Sequence, residues 1–281
     1  MRRTLARLRP DVVLLHDPFW LPLQVTEQAH RLGAKVVAVH HGSAELDAAG
    51  MPGPSALWEP VFRAWLRHAY APVDAIASVV DPLRDTRRPA TFPLRLGVDA
   101  AFRPQPGLER GDHVLYVGRL AREKGVFRLL EAAAQSDEPW PLRFVGSGPA
   151  KDALRRRTAA LGIEDRVACR PYLRDRERLA RTYAEAACVV MPGEHETFGM
   201  VGLEAAASGA RVVACATAPS AALCGSLVHP YPAGDAAALA RAIATARAAS
   251  TRPDEAAALG ERYGWDRLFV DELEHLRELV A

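Results

Sequence analysis

The sequence of 281 residues lacks an excess of charge of either sign, because 36 basic residues are balanced by 34 acidic ones. This balance excludes a global electrostatic field that would attract nucleic acid. Long apolar runs are also missing: none approaches the ~20 residues of a membrane span, and the run at 12–15 is too short for a signal peptide. Lysine is scarce and occurs at Lys35, Lys124 and Lys151. We therefore expect a cytoplasmic protein that binds no nucleic acid.

Cysteine is equally scarce, with four residues that form no Cys-x-x-Cys pair and no cluster with histidine at metal-ligand spacing. Cys188 and Cys215 lie inside apolar runs, which is typical of buried, reduced thiols. His195 and Glu196 are adjacent but do not begin a His-Glu-x-x-His motif. The sequence therefore predicts neither disulfides nor a metal site, which fits a reducing compartment.

The composition that remains is ordinary for a globular protein, 49% hydrophobic and 25% charged, and the length suggests about two domains. Short β-branched runs alternate with helical patterns. This alternation predicts an α/β fold of parallel strands joined by crossover helices, in two doubly wound sheets. A segment rich in proline, glycine and charge, 96–112, is the predicted linker. The predicted strands are 11–16, 35–40, 74–80, 92–96, 113–117, 142–145, 166–169, 188–191, 211–215 and 226–229.

The predicted helices lie mostly between these strands, and Asp175 and Asp235 stand where a side-chain oxygen caps a first turn. Ligands of open parallel sheets bind at the carboxyl ends of the strands. The loops that follow the strands are therefore the candidate site. The predicted helices are 21–32, 55–70, 125–135, 150–161, 176–186, 198–208, 236–249, 253–263 and 265–280.

The loop YVGRLAREKG, residues 116–125, carries two cations after a strand that ends at Gly118. Arg119 can donate to two phosphate oxygens and Lys124 acts as a point charge, so the pair beside a helix start can bind a diphosphate. The alternative is a charged loop in solvent, and the two residues alone do not decide between them.

The loop FVGSGPA, residues 144–150, places Gly146 and Gly148 where a strand gives way to a helix. Glycines there allow a nucleotide to approach the backbone closely. The motif is also part of a dinucleotide fingerprint, but Lys151 stands in place of the third glycine and no acidic residue follows at the ribose position. A dinucleotide oxidoreductase is therefore the less favoured hypothesis.

The segment GEHETFGMVGLEAAASGARVVA, residues 193–214, carries the strongest signal. Thr197 can cap a helix that begins at Phe198, and the N–H groups of Phe198, Gly199 and Met200 would then point towards an anion. Gly199 would remove a side chain where the ligand comes closest.

Two carboxylates flank this helix start. Glu196 would repel phosphate, so we interpret it as an acceptor for sugar hydroxyls, and Glu204 as an acceptor for the two hydroxyls of a ribose. The alternative is structural: one glutamate that favours the helix dipole and one exposed on the helix face. The order of glutamate, cap, Phe-Gly and second glutamate favours the functional interpretation.

Two histidines follow strands of the first block, in His16-Asp17-Pro18 and His41-Gly42. Each lies where a parallel sheet presents groups to a ligand. A histidine in such a place either packs against its neighbours or contacts the substrate, and both alternatives stay open.

Taken together these loops resemble family 4 of the nucleotide-sugar glycosyltransferases, retaining enzymes of GT-B fold. The resemblance covers most of the chain, from RPDVVLLHDP and LGVDAAFRP to the three loops above, in the family's order and spacing. Glu196 and Glu204 stand in the family's Glu-x7-Glu motif. The fold implied is GT-B-like, with two Rossmann-like domains. The domains implied are 1–100 on the acceptor side, 101–252 for the donor, and closing helices 253–281 that pack back towards the first.

The resemblance also implies an activity and its residues. The activity is metal-independent, retaining transfer of a sugar from a nucleotide diphosphate sugar (hexosyltransferase-like, EC 2.4), with no cofactor. Glu196, His16, Arg119 and Lys124 would be catalytic. The residues that would bind substrate are Gly118, Gly146, Arg170, Tyr172, Phe198, Gly199, Met200, Val201, Glu204 and His41.

One departure from the family is large, because the first domain is short by several elements at its start. Three explanations remain: a misassigned start, a second chain that completes the site, or a protein that binds donor without efficient transfer. A sugar-nucleotide epimerase is a weaker reading based on the fold alone. The acceptor would be a sugar, lipid or small molecule. Arg2, Arg3, Arg7 and Arg9 would touch an anionic inner membrane face or form a solvated helix face, and a homo-oligomer is left open.

Overall fold

The computed structural model describes residues 2–16, 21–42, 44–78, 90–94, 96–194 and 196–281. Asp17, Pro18 and His195, and parts of the predicted strands 74–80 and 92–96, lie outside the described residues. The chain divides into two compact units, Met1–Leu96 with Leu268–Ala281, and Gly97–Arg267.

The first unit is a four-stranded parallel sheet of order β1-β2-β3-β4. Its interior strands are buried almost throughout, as expected where helices cover both faces of a parallel sheet. One face packs on α2 and α4 through Val25, Leu66 and Tyr70. The elements are α1 Arg2–Leu8, β1 Val12–Leu15, α2 Leu21–Arg31, β2 Lys35–His40, α3 Ala44–Ala49, α4 Ser55–Tyr70, β3 Ala75–Ser78 and β4 Ala90–Pro93.

The other face of this sheet is covered by the last helix of the chain, α12, which spans Trp265–Val280. Leu276 and Leu279 pack on Val37 and Val39 of β2. Because the apolar residues recur at helical spacing, α12 presents one stripe to the sheet. The closing helix of the sequence thus lies within the first unit from Leu268 onward.

The second unit is a six-stranded parallel sheet of order β10-β9-β8-β5-β6-β7. The chain runs outward from β5 to β7, then returns to β8 beside β5 and runs outward in the other direction. The topological switch point therefore lies between β5 and β8, where open α/β sheets hold their ligands. The strands are β5 Val114–Val117, β6 Leu142–Val145, β7 Val167–Arg170, β8 Cys188–Met191, β9 Val212–Cys215 and β10 Val228–Tyr231.

The helices of the second unit pack on both sides of its sheet around a core that includes Trp140, Phe144 and Tyr231. Asp175 and Asp235 cap α7 and α10, since their carboxylates accept from the backbone N–H of Arg178 and Ala238. The helices are α5 Val126–Ala134, α6 Lys151–Ala160, α7 Arg176–Glu185, α8 Met200–Ala207, α9 Pro219–Cys224, α10 Ala236–Ala248 and α11 Pro253–Arg262.

The α/β class and the parallel sheets predicted from the sequence are confirmed. Two short helices, α3 and α9, were not predicted, since each has only six residues and little room for a repeating pattern. The last predicted strand is displaced, because residues 225–227 form a 3-10 turn before β10. None of the helices in the described part of the chain is long and apolar enough to cross a membrane.

The packing of the 144–150 loop explains why glycine is required at two of its positions. The loop lies on the one after β5: Leu120 donates its N–H to the carbonyl of Ser147, and Ala150 donates to that of Leu120, both at 2.9 Å. A Cβ on Gly148 would lie 2.7 Å from the Leu120 nitrogen, and one on Gly146 3.0 Å from the carbonyl carbon of Gly118. The loop after β5 therefore approaches the backbone of these glycines closely, and the approach of a nucleotide stays a prediction.

This contact gives a matched pair of substitutions. We expect Gly148→Ala to lower the free energy of unfolding by about 1–3 kcal/mol, because its methyl group would overlap the Leu120 backbone. Gly260→Ala is the control: it lies inside α11, its nearest neighbour to a Cβ is 3.6 Å away, and alanine there favours the helix by up to about 1 kcal/mol. Urea unfolding of both variants measures the difference. Equal effects would contradict the packing described here.

Candidate functional site

The loops that leave the carboxyl ends of β5 and β8 meet at the switch point of the second sheet. Lys124 and Glu196 come from these two loops, and Lys124 Nζ lies 2.9 Å from both carboxylate oxygens of Glu196. Both side chains are largely buried, with 23% and 15% of their surface exposed. The structure therefore joins in one ion pair two residues to which the sequence assigned separate roles.

Arg119 lies in the same loop as Lys124 and is paired with Glu123, four residues further along the chain. Its guanidinium side chain is 58% exposed, whereas Glu123 is mostly buried. The carbonyl of Arg119 accepts from the hydroxyl of Tyr116 at 2.8 Å, which fixes the loop just beyond Gly118. Burial, and then the charge of Glu196, raise the pKa of Tyr116, so its hydroxyl stays a donor. Arg119 thus has a fixed backbone and an exposed head.

The start of α8 differs from the predicted one. The helix begins at Met200, its N-cap is Gly199 with φ of 86°, and no side chain caps it among the described residues, so the predicted cap by Thr197 is wrong. Gly202 donates to the carbonyl of Gly199 at 2.9 Å. The N–H groups that lack a partner within the helix are therefore those of Met200 and Val201.

Phe198 and Gly199 are held by the protein just before this helix. The carbonyl of Phe198 accepts from the N–H of Ser220 at 2.9 Å, and its side chain is only 6% exposed. A Cβ on Gly199 would lie 2.7 Å from Cε of Met191 and would also overlap Ser220. The expectation that Gly199 leaves room for a ligand on this side is wrong, because protein side chains fill that space and the left-handed φ itself requires glycine.

Glu204 lies inside α8, half-buried, and accepts a 3.0 Å hydrogen bond from the hydroxyl of Tyr183. Burial raises the pKa of Glu204, against the Tyr183 hydrogen bond and the charge of Arg176, which lower it, while Asp99 raises it further. The exposed-glutamate alternative is thus wrong for Glu204. Tyr183 was not singled out from the sequence, and its place in an ordinary helical pattern carried no signal.

The loop between β8 and α8 is held by hydrogen bonds and an ion pair to residues for which the sequence predicts no role. Glu194 pairs with Arg128 at 2.6 Å and accepts from the N–H of Gly234 at 2.7 Å, while its carbonyl accepts from Thr217. The carbonyl of Pro192 accepts from the hydroxyl of Tyr231 at 2.8 Å. These partners come from three separate parts of the chain, so no local spacing could have revealed them.

The residues expected near a base lie at the ends of β6 and β7. Gly146 donates its N–H to the carbonyl of Arg170 at 3.0 Å. Arg170 is exposed and Tyr172, just beyond it, is 63% exposed. An exposed tyrosine ring and guanidinium at the end of this strand can stack on a planar group.

The two histidines of the first unit meet each other at its strand ends. His16 Nδ1 and His41 Nε2 are 2.8 Å apart and the rings are stacked, 5.1 Å between centroids. One nitrogen must carry the proton and the other must accept it, so the contact needs at least one neutral ring. Burial and the neighbouring His16 lower the pKa of His41. His40 is different: it is buried against the Tyr70 hydroxyl, and burial lowers its pKa to about 4.

Comparison with known proteins gives matches to two family models. Residues 99–261 match the model described as glycosyl transferases group 1, and residues 1–88 match the one described as glycosyltransferase family 4. Both segments contain residues of the site described above.

Individual proteins match as well. The chain is 40% identical to a D-inositol 3-phosphate glycosyltransferase of Frankia alni, over 51% of this chain and 36% of that one. It is 34% identical to a GDP-mannose-dependent alpha-mannosyltransferase of Mycolicibacterium smegmatis, over 73% of this chain and 56% of that one. The chain thus spans about a third to just over half the length of these two relatives. Among solved structures it resembles a sucrose-phosphate synthase from Thermosynechococcus elongatus, with a TM-score of 0.79 and 23% identity over 99% of this chain and 76% of that one.

The environment of Glu204 gives a prediction with a definite sign. Its pKa in the folded protein lies above the ordinary value of 4.5, so the folded state binds the proton more tightly than the unfolded state. The free energy of unfolding therefore falls as the pH rises from the unfolded pKa to the folded one. Glu204→Gln keeps the shape of the protonated acid and removes this loss. We expect the variant to be more stable than the wild type at pH 7 and similar to it at pH 3.

Urea unfolding at a series of pH values measures this difference. Glu177→Gln is the control, because it makes the same change on a side chain that is 61% exposed. A Glu204→Gln variant that is less stable than the wild type at pH 7 would show that Glu204 is held as a favourable ion.

Proposed function

Because the chain belongs to the glycosyl transferases group 1 family, whose model matches residues 99–261 and so more than half of it, we propose that it transfers a sugar from a nucleotide diphosphate sugar to an acceptor hydroxyl. The family and the likeness to solved structures confirm the GT-B-like fold. The observation that carries the proposal is the Lys124–Glu196 pair at the switch point of the second sheet, beside the opening turn of α8.

The pair suits a sugar diphosphate because each partner keeps unused hydrogen-bonding capacity. An ammonium group has three donors, and two of those on Lys124 can point to Glu196, so one remains for a phosphate oxygen. The carboxylate of Glu196 keeps lone pairs for sugar hydroxyls. In this proposal Lys124 faces the diphosphate and Glu196 faces the sugar, and each holds the other in place.

Arg119 and the start of α8 supply further groups for the diphosphate. The exposed guanidinium of Arg119 can exchange Glu123 for two phosphate oxygens. The N–H groups of Met200 and Val201 offer donors at the positive end of the helix dipole. Gly118 would lie against the same phosphates, and Phe198 and Gly199 would fix the helix entry.

Glu204 is proposed to bind the ribose, since one of its oxygens accepts from Tyr183 and the other remains for a ribose hydroxyl. Tyr172, Arg170 and Gly146 are proposed to flank the base.

The reaction proposed is retaining. The bond between the anomeric carbon and the phosphate oxygen breaks, the acceptor oxygen bonds to that carbon on the same face, and the acceptor proton leaves with the nucleoside diphosphate. Negative charge develops on the departing phosphate, where Arg119, Lys124 and the α8 dipole would stabilise it. These protein groups would balance the charge of the leaving group without a metal or cofactor.

Residues 1–100 are proposed to serve the acceptor and 101–252 the donor, with 253–281 closing the fold. His16 is proposed to contact the sugar and the acceptor, and His41 to support it through their shared hydrogen bond. The proposal covers a sugar, lipid or small-molecule acceptor in the cytoplasm, including an acceptor at the inner membrane face.

One observation favours a second candidate, a nucleotide-sugar-binding protein that needs a partner chain for transfer. β1 is an edge strand of a parallel sheet, and Leu14 on it is 41% exposed. Such edges tend to pair with another strand. Calorimetry that shows nucleotide diphosphate binding by the isolated chain, without sugar release, would favour this candidate over the first.

The first test removes the charge of Glu196 or Arg119. With a panel of nucleotide diphosphate sugars, we expect Glu196→Gln and Arg119→Gln each to lower kcat for nucleoside diphosphate release by about 10²–10³-fold, as for the loss of one transition-state contact. Glu185→Gln is the control, since Glu185 pairs with the exposed Arg181 on the same helix, α7. Unchanged rates in the two site variants would remove these residues from the mechanism.

The second test concerns metal. Because the proposal gives the charge of the leaving group to protein cations, we expect EDTA to leave the rate of transfer unchanged. The same assay after dialysis against chelator, and then with added magnesium or manganese, measures this. A loss of activity that either metal restores would contradict a metal-independent reaction.

A further inference from the structure

A cavity of about 240 Å³ lies at the edge of the second sheet opposite to the proposed donor site. It is lined by Arg211, which precedes β9, by His229 in β10, and by Arg252, which precedes α11. These residues stand at the amino ends of β9 and β10, whereas the donor site is built on the carboxyl ends. The cavity is therefore a separate feature of the same unit.

Positive charge is concentrated around this cavity. Burial, and then the charge of Arg211, lower the pKa of the nearby Arg110 guanidinium. Burial, followed by Arg211 and Arg252, lowers the pKa of His229. Glu255 is an acid that contacts the lining. Its carboxylate pairs with Arg252 at 3.0 Å and accepts a hydrogen bond from the hydroxyl of Ser226. Among the described residues, this carboxylate thus lies beside a lining that holds the guanidinium groups of Arg211 and Arg252.

Buried guanidinium nitrogens in this cluster have no partner among the described residues. They are Nη1 of Arg110, Nε of Arg211 and Nε of Arg247, the last on the final turn of α10. Buried N–H donors are nearly always paired. Of these three residues Arg211 lines the cavity, and its unused donor suits a ligand with acceptor oxygens.

A purely structural explanation covers only part of this arrangement. Arg110 Nη2 donates to the carbonyl of Gly209 at 2.6 Å, and Arg211 Nη1 donates to that of Ala187 at 3.1 Å. Cations near helix ends commonly satisfy the last carbonyls in this way. Each bond uses one of the five donors of its guanidinium, and neither explains why Arg252 and His229 line the same cavity.

We propose that this cavity binds a phosphate group, as inorganic phosphate or on a small phosphorylated molecule. Arg211 and Arg252 supply the charge, while the His229 ring and the hydroxyls of Ser226, Ser250 and Thr251, which also line the cavity, supply neutral donors. The volume is below the ~300–1,000 Å³ of pockets that hold drug-sized ligands. It suits a phosphate-sized headgroup rather than a nucleotide.

Calorimetry with inorganic phosphate at fixed ionic strength, with chloride as the reference anion, tests the site. We expect wild type to bind phosphate and Arg252→Gln to bind it about tenfold more weakly, as for the loss of one charged hydrogen bond. His229→Gln is a second variant that leaves the buried arginines in place. Arg241→Gln on α10, 71% exposed, is the matched control and should bind like the wild type.

The donor site also holds cations, so Arg119→Gln separates the two sites. If it retains phosphate binding while Arg252→Gln loses it, the proposal is supported whether or not the protein is a glycosyltransferase. If Arg119→Gln alone abolishes binding, or if Arg252→Gln and His229→Gln both bind like the wild type, the proposal is overturned.

A vesicle arm identifies the source of the phosphate. If the wild type sediments with phosphatidylcholine vesicles that contain phosphatidic acid and Arg252→Gln does not, the result would support the site and identify a lipid headgroup as its ligand. Binding of inorganic phosphate without vesicle binding would support a soluble ligand. A response to neither would overturn the proposal.

Discussion

The candidate site depends on one contact, the ion pair of Lys124 with Glu196 across the switch point of the second sheet. β5 and β8 are neighbours in the sheet, but their following loops leave in different directions, so a gap opens between them. Lys124 and Glu196 bridge that gap with two hydrogen bonds at 2.9 Å. A largely buried pair of this kind contributes little net stability after desolvation, but it fixes two side chains that would otherwise move.

The backbone around this contact is held by close approaches that only glycine allows. Gly125 opens α5 with φ of 70°, and a Cβ there would overlap the carbonyl of Pro192 in the loop after β8. The same loop is held by Arg128 and Tyr231. Because the loops are packed on each other, the positions of Lys124 and Glu196 follow from the fold rather than from their own flexibility. Rigid placement of charged groups is what electrostatic catalysis requires.

The sequence was sufficient for the strands, most helices and the N-caps at Asp175 and Asp235, because each depends on residues close together in the chain. It was not sufficient for the pairing of Lys124 with Glu196, or of Glu194 with Arg128, since these partners meet only when the sheet forms. The start of α8 was also missed: Thr197 and Gly199 both suit a cap, and the packing of Phe198 and Ser220 decided for Gly199. The packing of the 144–150 loop on the loop after β5 was also missed, because the two loops are far apart in the chain.

The burial of the Glu204 carboxylate helps to decide whether this residue has a structural or a ligand-binding role. Burial raises its pKa, so the fold disfavours the ionised form of this carboxylate. The Tyr183 hydroxyl offsets this only in part, and glutamine would accept the same hydrogen bond without the charge. A structural role therefore does not require a carboxylate at this position. A ligand with paired hydroxyls does benefit from one, because an ionised acceptor binds hydroxyl donors more strongly than a neutral amide does. That difference favours the ribose as the partner of Glu204.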